Sequence, residues 1–237
     1  MDVLDVDNLV NINGIVFDLD GTLIDTLPDI LSALNRVMVS EGFRKINFQE
    51  ARGLVGGGAQ NLVEEAFATI GENKENPTIK SAFEKFIKYY EKEPAVKSTL
   101  FSNVEDFLQI SHKNGIKLGI CTNKPIGLTQ LIIKEMKLIN YFGDAVIGGD
   151  SLDVRKPNAI HLYETIKQMG TPVSHTVMVG DSETDVKTAR NAGVPIILVD
   201  FGYSILPPSQ MGADAIISSF LELPAALMRI NETKMSH

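Results

Sequence analysis

Two aspartates, Asp18 and Asp20, directly follow an apolar run rich in β-branched residues near the start of the chain. Carboxylates crowded at one point repel each other, so one or more of their pKa values should rise. A divalent cation would remove this penalty, and a ligand set made only of oxygens suits Mg²⁺. The pair therefore predicts carboxylate chemistry supported by Mg²⁺.

Three further polar sites follow other apolar runs of the sequence. Thr122 and Asn123 follow the second run, Lys156 comes just after the third, and Asp181 and Asp185 follow the fourth. In an open α/β sheet, ligands bind outside the carboxyl ends of the strands, so these side chains can converge. A metal held by carboxylates, with a lysine and a threonine hydroxyl nearby, forms a receptor for a phosphoryl group.

Other interpretations of the aspartate pair start from simpler motifs. An Asp-x-Asp pair is common in surface turns, but this one ends a buried run and three further sites lie in register with it. A calcium loop needs glycine at its sixth position and a flanking helix, whereas Gly21 is fourth and a strand precedes it. A zinc site is disfavoured because the four histidines are scattered and there is one cysteine.

The elements that must position these residues alternate between strands and helices. The strand-like runs are residues 12–17, 117–121, 144–147, 176–179, 195–199 and 215–217. Several are continuously apolar, which is typical of strands buried on both faces of a parallel sheet. Amphipathic helical patterns lie between them at residues 104–113, 128–136, 159–169 and 183–192. This alternation predicts an α/β fold with a doubly wound, mostly parallel sheet and a Rossmann-like core.

One segment breaks the alternation and predicts a second domain. Residues 27–93 contain no strand pattern, and helical patterns occupy residues 30–41, 60–70 and 79–90. We therefore expect an α-helical cap domain at residues 27–93, inserted into a catalytic core made of residues 1–26 and 94–237.

Charge and composition exclude several classes of partner. The net charge of −8 makes the chain poorly suited to bind nucleic acid or an anionic membrane. The first ten residues carry three aspartates and no positive charge, so we expect no secretory signal. No apolar run approaches the ~18 residues of a membrane span. With one cysteine, Cys121, and no possible intrachain disulfide, we expect a cytoplasmic protein.

Four motifs together resemble the signature of a known superfamily. DLDGTLIDT, CTNKP, RKP and GDSETD, in this order, look like the four motifs of the haloacid dehalogenase-like hydrolases. Within that superfamily the chain is most similar to the phosphoglycolate phosphatase branch, through these motifs and through ARGLVGGGAQNLVEEA in the predicted cap. The resemblance implies a phosphoryl-transfer enzyme with a helical cap between its first two motifs.

The resemblance also implies a role for each residue that reacts with or binds the phosphoryl group. Asp18 would be the nucleophile that forms an aspartyl-phosphate. Asp20 would protonate the leaving oxygen and then deprotonate the attacking water. Thr122, with Asn123 beside it, would bind the transferring phosphoryl group, and Lys156 would neutralise its charge.

The same resemblance implies the ligands of the metal. Mg²⁺ would be held by Asp18, by the backbone carbonyl of Asp20 and by Asp181. Asp185 would either ligate the ion through water or orient Lys156.

Two features of the predicted cap could contact the substrate. The cluster Gly56-Gly57-Gly58 precedes a predicted helix, and it is either a tight turn or a loop whose bare backbone closes over an anion, with Gly57 at its centre. Arg52, four residues before the cluster, could meet a carboxylate of the substrate or form a surface salt bridge.

The leading functional hypothesis is a Mg²⁺-dependent phosphatase for a small phosphorylated metabolite, with 2-phosphoglycolate as the candidate substrate. Asp20 is absent from the dehalogenating branch, and Thr22 stands where mutases usually carry a valine-type residue. The enzymatic alternatives are a pyrophosphatase, a sugar-phosphate phosphatase and a phosphosugar mutase. The non-enzymatic alternative is a phospho-acceptor signalling or binding domain. The oligomeric state is left open between monomer and homodimer.

Overall fold

The computed structural model describes residues 12–73 and 75–235. The N-terminal segment for which we expect no secretory signal, and the outer ends of the predicted core segments 1–26 and 94–237, lie outside these residues. The strands in the described part of the chain are β1 (Gly14–Phe17), β2 (Ile24–Asp25), β3 (Thr99–Leu100), β4 (Lys117–Cys121), β5 (Val146–Ile147), β6 (Thr176–Gly180), β7 (Ile196–Val199) and β8 (Ala215–Ile217).

Six of these strands form one parallel sheet, which confirms the predicted fold class. Their order is β5-β4-β1-β6-β7-β8, so β1 lies near the middle of the sheet. β1 pairs in parallel with β4 on one side and with β6 on the other, and Gly14 is aligned with both Lys117 and Thr176. All four residues of β1 are buried, as expected for a strand covered on both faces.

The helices surround this sheet and fill the segment between β2 and β3. They are α1 (Leu27–Ser40), α2 (Phe48–Arg52), α3 (Ala59–Thr69), α4 (Thr78–Lys92), α5 (Val104–Lys113), α6 (Ile126–Glu135), α7 (Ile139–Phe142), α8 (Ala159–Met169), α9 (Glu183–Ala192) and α10 (Leu223–Met235). The predicted bounds of α5, α8 and α9 coincide with the observed ones. No described helix is long and apolar enough to cross a bilayer.

The differences from prediction lie at short elements and element ends. α2 and α7 span five and four residues, too few for a helical period to be read from the sequence. The predicted strand at 144–147 shortens to β5 because Asp144 and Ala145 form the turn that follows α7, with Ala145 N–H donating to Phe142 O.

The two shortest strands mark where the chain leaves the sheet for helices α1 to α4 and where it returns. β2 and β3 pair antiparallel, with Ile24 opposite Leu100. Below this pair, the Asp29 carboxylate in α1 accepts hydrogen bonds from the backbone N–H groups of Lys97 and Ser98 at 2.8 and 2.7 Å. The outgoing and returning chains are therefore fixed together at the base of the helical segment.

The sheet has a separate apolar core on each face. Phe17 points to one face, where its ring packs against Phe107, Phe142 and Phe220. The same cluster of buried side chains continues into helices α1, α3 and α4. Val16 points to the opposite face and packs in a smaller cluster. The helical segment therefore packs on the sheet through continuous apolar contact.

Candidate active site

The turn after β1 places Asp18 and Asp20 at the carboxyl edge of the sheet. The Leu19 carbonyl accepts hydrogen bonds from the N–H groups of the residues three, four and five positions on, which closes the turn tightly. Gly21 has φ +83°, and a Cβ at this position would lie 2.6 Å from the Asp181 Oδ2 atom. Glycine is therefore needed here for both the left-handed backbone and the close approach of Asp181.

Asp18 and Asp185 share one buried lysine. Lys156 Nζ lies 2.9 Å from Asp18 Oδ1 and 2.7 Å from Asp185 Oδ1, and both carboxylates are almost inaccessible to solvent. Burial raises the pKa of Asp18 to about 6, although the neighbouring Lys156 opposes the shift. Burial lowers the pKa of Lys156, but Asp18 and Asp185 outweigh it, so the net shift is upward. Lys156 is therefore held as an ammonium between two acids.

Asp181 completes a cluster of three buried carboxylates. One oxygen each from Asp18, Asp181 and Asp185 lies within 4.8 Å of the others. Asp181 Oδ2 accepts a hydrogen bond from the N–H of Tyr203 at 2.6 Å. Burial and the two neighbouring carboxylates raise the pKa of Asp181 well above its usual value. Three acids so close together are unfavourable without a cation in addition to Lys156.

Asp185 differs from the other two acids in how its oxygens are used. Its Oδ2 atom accepts hydrogen bonds from the N–H groups of Asp181 and Ser182 and from the Ser182 hydroxyl. Its Oδ1 atom bonds Lys156. Both oxygens are therefore engaged within the protein, which fits an orienting role better than direct coordination.

The donor set fits a hard divalent cation. Asp18 and Asp181 each contribute a carboxylate oxygen to the cluster. The nearby groups are all oxygen donors, which is the set that Mg²⁺ takes in proteins. No group of histidine or cysteine ligands with metal-binding geometry occurs in the described ranges.

The loop after β4 brings the second predicted group to the same edge. Thr122 and Asn123 are buried, and both line a small cavity together with Asp18 and Asp20. Asn123 Nδ2 donates to the carbonyls of Gly56 and Lys156 at 3.0 and 3.2 Å. Asn123 therefore links the helical segment to the loop that carries Lys156.

Lys124, which was not predicted as a site residue, also lines this cavity. Its ammonium donates to Asp20 Oδ1 at 3.0 Å and to the Tyr90 hydroxyl at 2.8 Å, and it lies 4.5 Å from the centre of the Tyr90 ring. Burial lowers the pKa of Lys124, an effect that the Asp20 carboxylate opposes. The sequence feature that could have identified Lys124 as a site residue was its position in CTNKP, directly after Asn123. Tyr90 gave no such signal because it fits the apolar face of α4.

The glycine cluster lies on the opposite wall of the cavity. Gly56 and Gly58 line it, and Gly57 is not among the lining residues; a Cβ at Gly57 would meet the Asn61 side chain. Gly58 has φ +92°, and a Cβ there would lie 3.0 Å from the Asn123 backbone oxygen. Backbone of the helical segment thus approaches backbone of the sheet edge directly.

Arg52 is directed away from this cavity. Its guanidinium donates to the Gly202 carbonyl at 2.6 Å, and the residue lines a second depression that also contains Asp20 and Asp181. Among the described residues, this bond is to backbone and not to an acidic side chain, so the anticipated surface salt bridge is not formed there, and contact with a substrate carboxylate stays a prediction.

Tyr203 joins the acidic cluster to the start of the helical segment. Its backbone N–H holds Asp181, while its hydroxyl donates to Asp25 Oδ1 at 2.7 Å and accepts from the Leu27 N–H at 2.9 Å. Thr26, next to Asp25, donates its hydroxyl to Asp20 Oδ1 at 2.6 Å. The turn leaving β2 is therefore tied to both sides of the site.

Comparison with known proteins identifies close relatives. A family model for haloacid dehalogenase-like hydrolases matches residues 15–199. A phosphoglycolate phosphatase of Caulobacter vibrioides is 39% identical over 224 residues, covering 94% of each chain. Another from Agrobacterium fabrum is 36% identical and covers 90% of this chain and 91% of the relative.

Solved structures show the same architecture. A crystal structure described as a predicted phosphoglycolate phosphatase, from Haemophilus somnus, superposes with a TM-score of 0.83 at 26% identity, covering 90% of this chain and 97% of the other. A similar protein from Lactobacillus delbrueckii has a TM-score of 0.81 at 28% identity, covering 92% and 99%.

Proposed function

Because the chain belongs to the haloacid dehalogenase-like hydrolases, we propose that it is a Mg²⁺-dependent phosphatase acting on a small phosphomonoester, with 2-phosphoglycolate as the candidate substrate. The observation that carries this proposal is the meeting of Asp18, Asp20, Lys156 and Asp181 at one edge of the sheet, beside a partly open cavity. Phosphoryl transfer needs a nucleophile, a proton carrier and positive charge, and this cluster supplies the first two directly.

The proposed reaction has two steps. Asp18 attacks phosphorus while the bond from phosphorus to the leaving oxygen breaks, and Asp20 donates its proton to that oxygen. Asp20 then accepts a proton from water, whose oxygen attacks the aspartyl-phosphate. Inorganic phosphate leaves and the Asp18 carboxylate is restored, so the protein is unchanged after one turnover.

Positive charge comes from the chain and from a metal. Lys156 faces the Asp18 carboxylate at 2.9 Å, close enough to neutralise a phosphoryl oxygen bound beside it. Asp18, Asp181 and the backbone carbonyl of Asp20 would hold Mg²⁺, with Asp185 orienting Lys156. The bound cation supplies charge that offsets repulsion between an anionic nucleophile and an anionic phosphate. Thr122 and Asn123 would contact the phosphoryl group from the β4 side.

The substrate assignment rests on the relatives and on the cavity. The two relatives at 39% and 36% identity are phosphoglycolate phosphatases. The cavity is small, and Gly56 and Gly58 of the helical segment line it, which favours small phosphate esters over phosphoproteins. Cytoplasmic location and the choice between monomer and homodimer stay predictions.

We further propose that helices α1 to α4 act as a cap over this cavity. Tyr90 of α4 and the glycine cluster before α3 form part of its wall, while Asp18 and Asp20 form the other part. Catalytic groups and covering groups thus come from different segments of the chain, residues 27–93 for the cap and the flanking segments for the core. A cap of this kind excludes water from the reacting groups.

The test is a hydrolysis assay on the purified full chain. With Mg²⁺ the protein should hydrolyse p-nitrophenyl phosphate, and a panel of small phosphate metabolites ranked by kcat/KM should place 2-phosphoglycolate first. EDTA should abolish turnover, and adding Mg²⁺ should restore it. Asp18→Asn keeps the size of the side chain but removes the nucleophile, so turnover should fall by at least about a thousandfold. Full turnover in Asp18→Asn would refute the mechanism.

A further inference from the structure

Lys124 holds a second buried positive charge in the site. Its side chain is 3% exposed. It is the one cation among the described residues that line the cavity, whereas Lys156 contacts Asp18 without being part of this lining. Lys156 is already bound by two carboxylates, whereas Lys124 has one carboxylate partner, Asp20. A buried charge on a ligand-binding wall is costly unless a bound anion or a fixed partner compensates it.

The Tyr90 hydroxyl lies next to this ammonium with its own proton unused. It accepts a hydrogen bond from Lys124 Nζ at 2.8 Å, and it donates to no acceptor among the described residues. Tyr90 is 1% exposed, so water does not solvate the side chain freely. Burial and the carboxylates of Asp20 and Asp29 raise its pKa well above the usual value, so the hydroxyl stays a donor. Lys124 and Tyr90 therefore present two adjacent donors on one wall.

The rest of this wall is apolar. Ile30, Leu62, Phe86 and Leu128 line the cavity around the Lys124 ammonium. Such a wall offers no partner to a sugar or a nucleoside with many hydroxyl groups. It suits a substrate whose organic part, the portion bonded to the phosphate oxygen, is short and carries one anionic group. That group alone would find hydrogen-bond donors on this wall.

The position of Lys124 relative to Asp20 limits the length of that organic part. The leaving oxygen must lie about 3 Å from Asp20 to receive its proton. Lys124 Nζ lies 3.0 Å from Asp20 Oδ1. A carboxylate attached directly to the ester carbon is therefore within reach of the ammonium, whereas a longer spacer places the carboxylate farther from the leaving oxygen.

We propose that Lys124 and Tyr90 bind a carboxylate attached directly to the phosphate ester carbon of the substrate, and so set the specificity of the cavity. This inference rests on the proposed phosphatase function and deepens it. Lys124 supplies charge, and Tyr90 supplies a directed hydrogen bond from the cap side. Arg52, bound to the Gly202 carbonyl outside this cavity, does not take this role.

The experiment compares two phosphate esters of equal carbon number, 2-phosphoglycolate and ethyl phosphate, which differ in the carboxylate. The ratio of their kcat/KM values is measured for the wild type, Tyr90→Phe, Lys124→Met and Arg52→Ala. Tyr89→Phe is the matched control, because Tyr89 is next to Tyr90 on α4 and its ring stacks on Arg36 outside the cavity. Thermal unfolding of each variant checks that it folds.

The wild type should prefer 2-phosphoglycolate. The ratio should fall about 10-fold in Tyr90→Phe and about 100-fold in Lys124→Met, as expected for losing hydrogen bonds to a charged group. Tyr89→Phe and Arg52→Ala should keep the wild-type ratio. If Lys124→Met does not fold, Tyr90→Phe decides, because it removes one oxygen and keeps the ring.

Two results would overturn the proposal. In the first, kcat/KM for both esters falls equally in Lys124→Met and Tyr90→Phe, which would make Lys124 only a partner that positions Asp20. In the second, the ratio changes in Arg52→Ala and not in the two cavity variants. Failure of the proposed function is recognised separately: in that case the wild type would not hydrolyse p-nitrophenyl phosphate either. If the wild type does hydrolyse it, either of the two results above counts against the carboxylate proposal alone.

Discussion

At the scale of single residues, the site combines clustered acids with two buried lysines that offset part of their charge. Lys156 balances Asp18 and Asp185, and Lys124 balances Asp20. Removing one partner of a buried pair leaves the other charge uncompensated, which costs more than the pair contributes. The chemistry is therefore built from groups that also hold the sheet edge in place.

Cys121, the one cysteine of the chain, illustrates how burial lowers the reactivity of a thiol. Its Sγ atom lies 3.2 Å from His161 Nδ1 at the end of β4, and no part of it reaches solvent. Burial raises the pKa of the thiol to about 12, against about 8.5 for a free cysteine. Because the thiolate is the reactive form, we expect the native protein at pH 8 to react with Ellman's reagent at least roughly a thousandfold more slowly than the unfolded chain.

The measurement is the rate of thiol release with and without concentrated urea. The unfolded chain should release one equivalent quickly, which also counts the cysteine. Raising the pH from 8 to 9 should leave the native thiol almost entirely protonated, because both values lie below its pKa. Fast, complete reaction of the folded protein would contradict the burial of Cys121.

The sequence predicted part of this residue-level arrangement and missed part, for a physical reason. Asp18, Thr122 and Asp181 were expected together because each follows a buried strand of one parallel sheet, whose carboxyl ends share an edge. Tyr90 was not expected there, since an aromatic residue on the apolar face of a helix looks the same whether it faces core or cavity. Only the packing of α4 over the β4 loop distinguishes the two.

At the scale of elements, the approach of α3 to the sheet edge depends on glycine. Gly58 ends the loop before α3, where its backbone (φ +92°, ψ 166°) is one that other residues rarely adopt. A side chain there would also press against the Asn123 backbone oxygen and the Arg155 guanidinium. This contact sets how closely the proposed cap can approach Asp18 and Asp20.

Gly58→Ala should therefore impair turnover, and Gly71→Ala is its matched control. Gly71 follows α3, has φ +88°, and a Cβ there would have no atom within 4 Å. Both variants should lose about 1 kcal/mol or more of unfolding free energy from the left-handed backbone. In Gly58→Ala the cap is also displaced, so kcat/KM should fall by up to about a hundredfold. It should be unchanged in Gly71→Ala.

Steady-state kinetics on p-nitrophenyl phosphate and urea unfolding of the same preparations check this prediction. Equal kcat/KM in the two variants would mean that the approach of Gly58 to Asn123 does not control the site.

At the scale of the whole molecule, the sheet carries the chemistry near its centre. β1 supplies Asp18, its neighbour β4 leads to Thr122, and its other neighbour β6 leads to Asp181. This arrangement was predictable in outline from the alternation of buried strands and amphipathic helices. The strand order and the short pair β2–β3 were not, because a two-residue strand has no period to detect.

Mg²⁺ should stabilise the folded protein, since the cluster of Asp18, Asp181 and Asp185 exists only when the sheet is assembled. Binding at a hundred times the dissociation constant adds about 2.7 kcal/mol to the unfolding free energy. Thermal unfolding in Mg²⁺ should therefore occur at a higher temperature than in EDTA at equal ionic strength.

Asp181→Asn should remove most of the stabilisation by Mg²⁺. Asp144→Asn, at an exposed position after α7, should keep that stabilisation. An Asp181→Asn protein that gains as much from Mg²⁺ as the wild type would exclude Asp181 as a ligand.

The central position of β1 also determines when a folding chain becomes active. Asp18 is synthesised early, but its partners Lys156 and Asp181 belong to segments far along the chain, and β6 must pair beside β1 before they meet. No partial assembly of the sheet that lacks β6 holds a complete site. Recovery of turnover after dilution from denaturant therefore requires the pairing of β6 with β1, whereas recovery of helical circular dichroism can precede it.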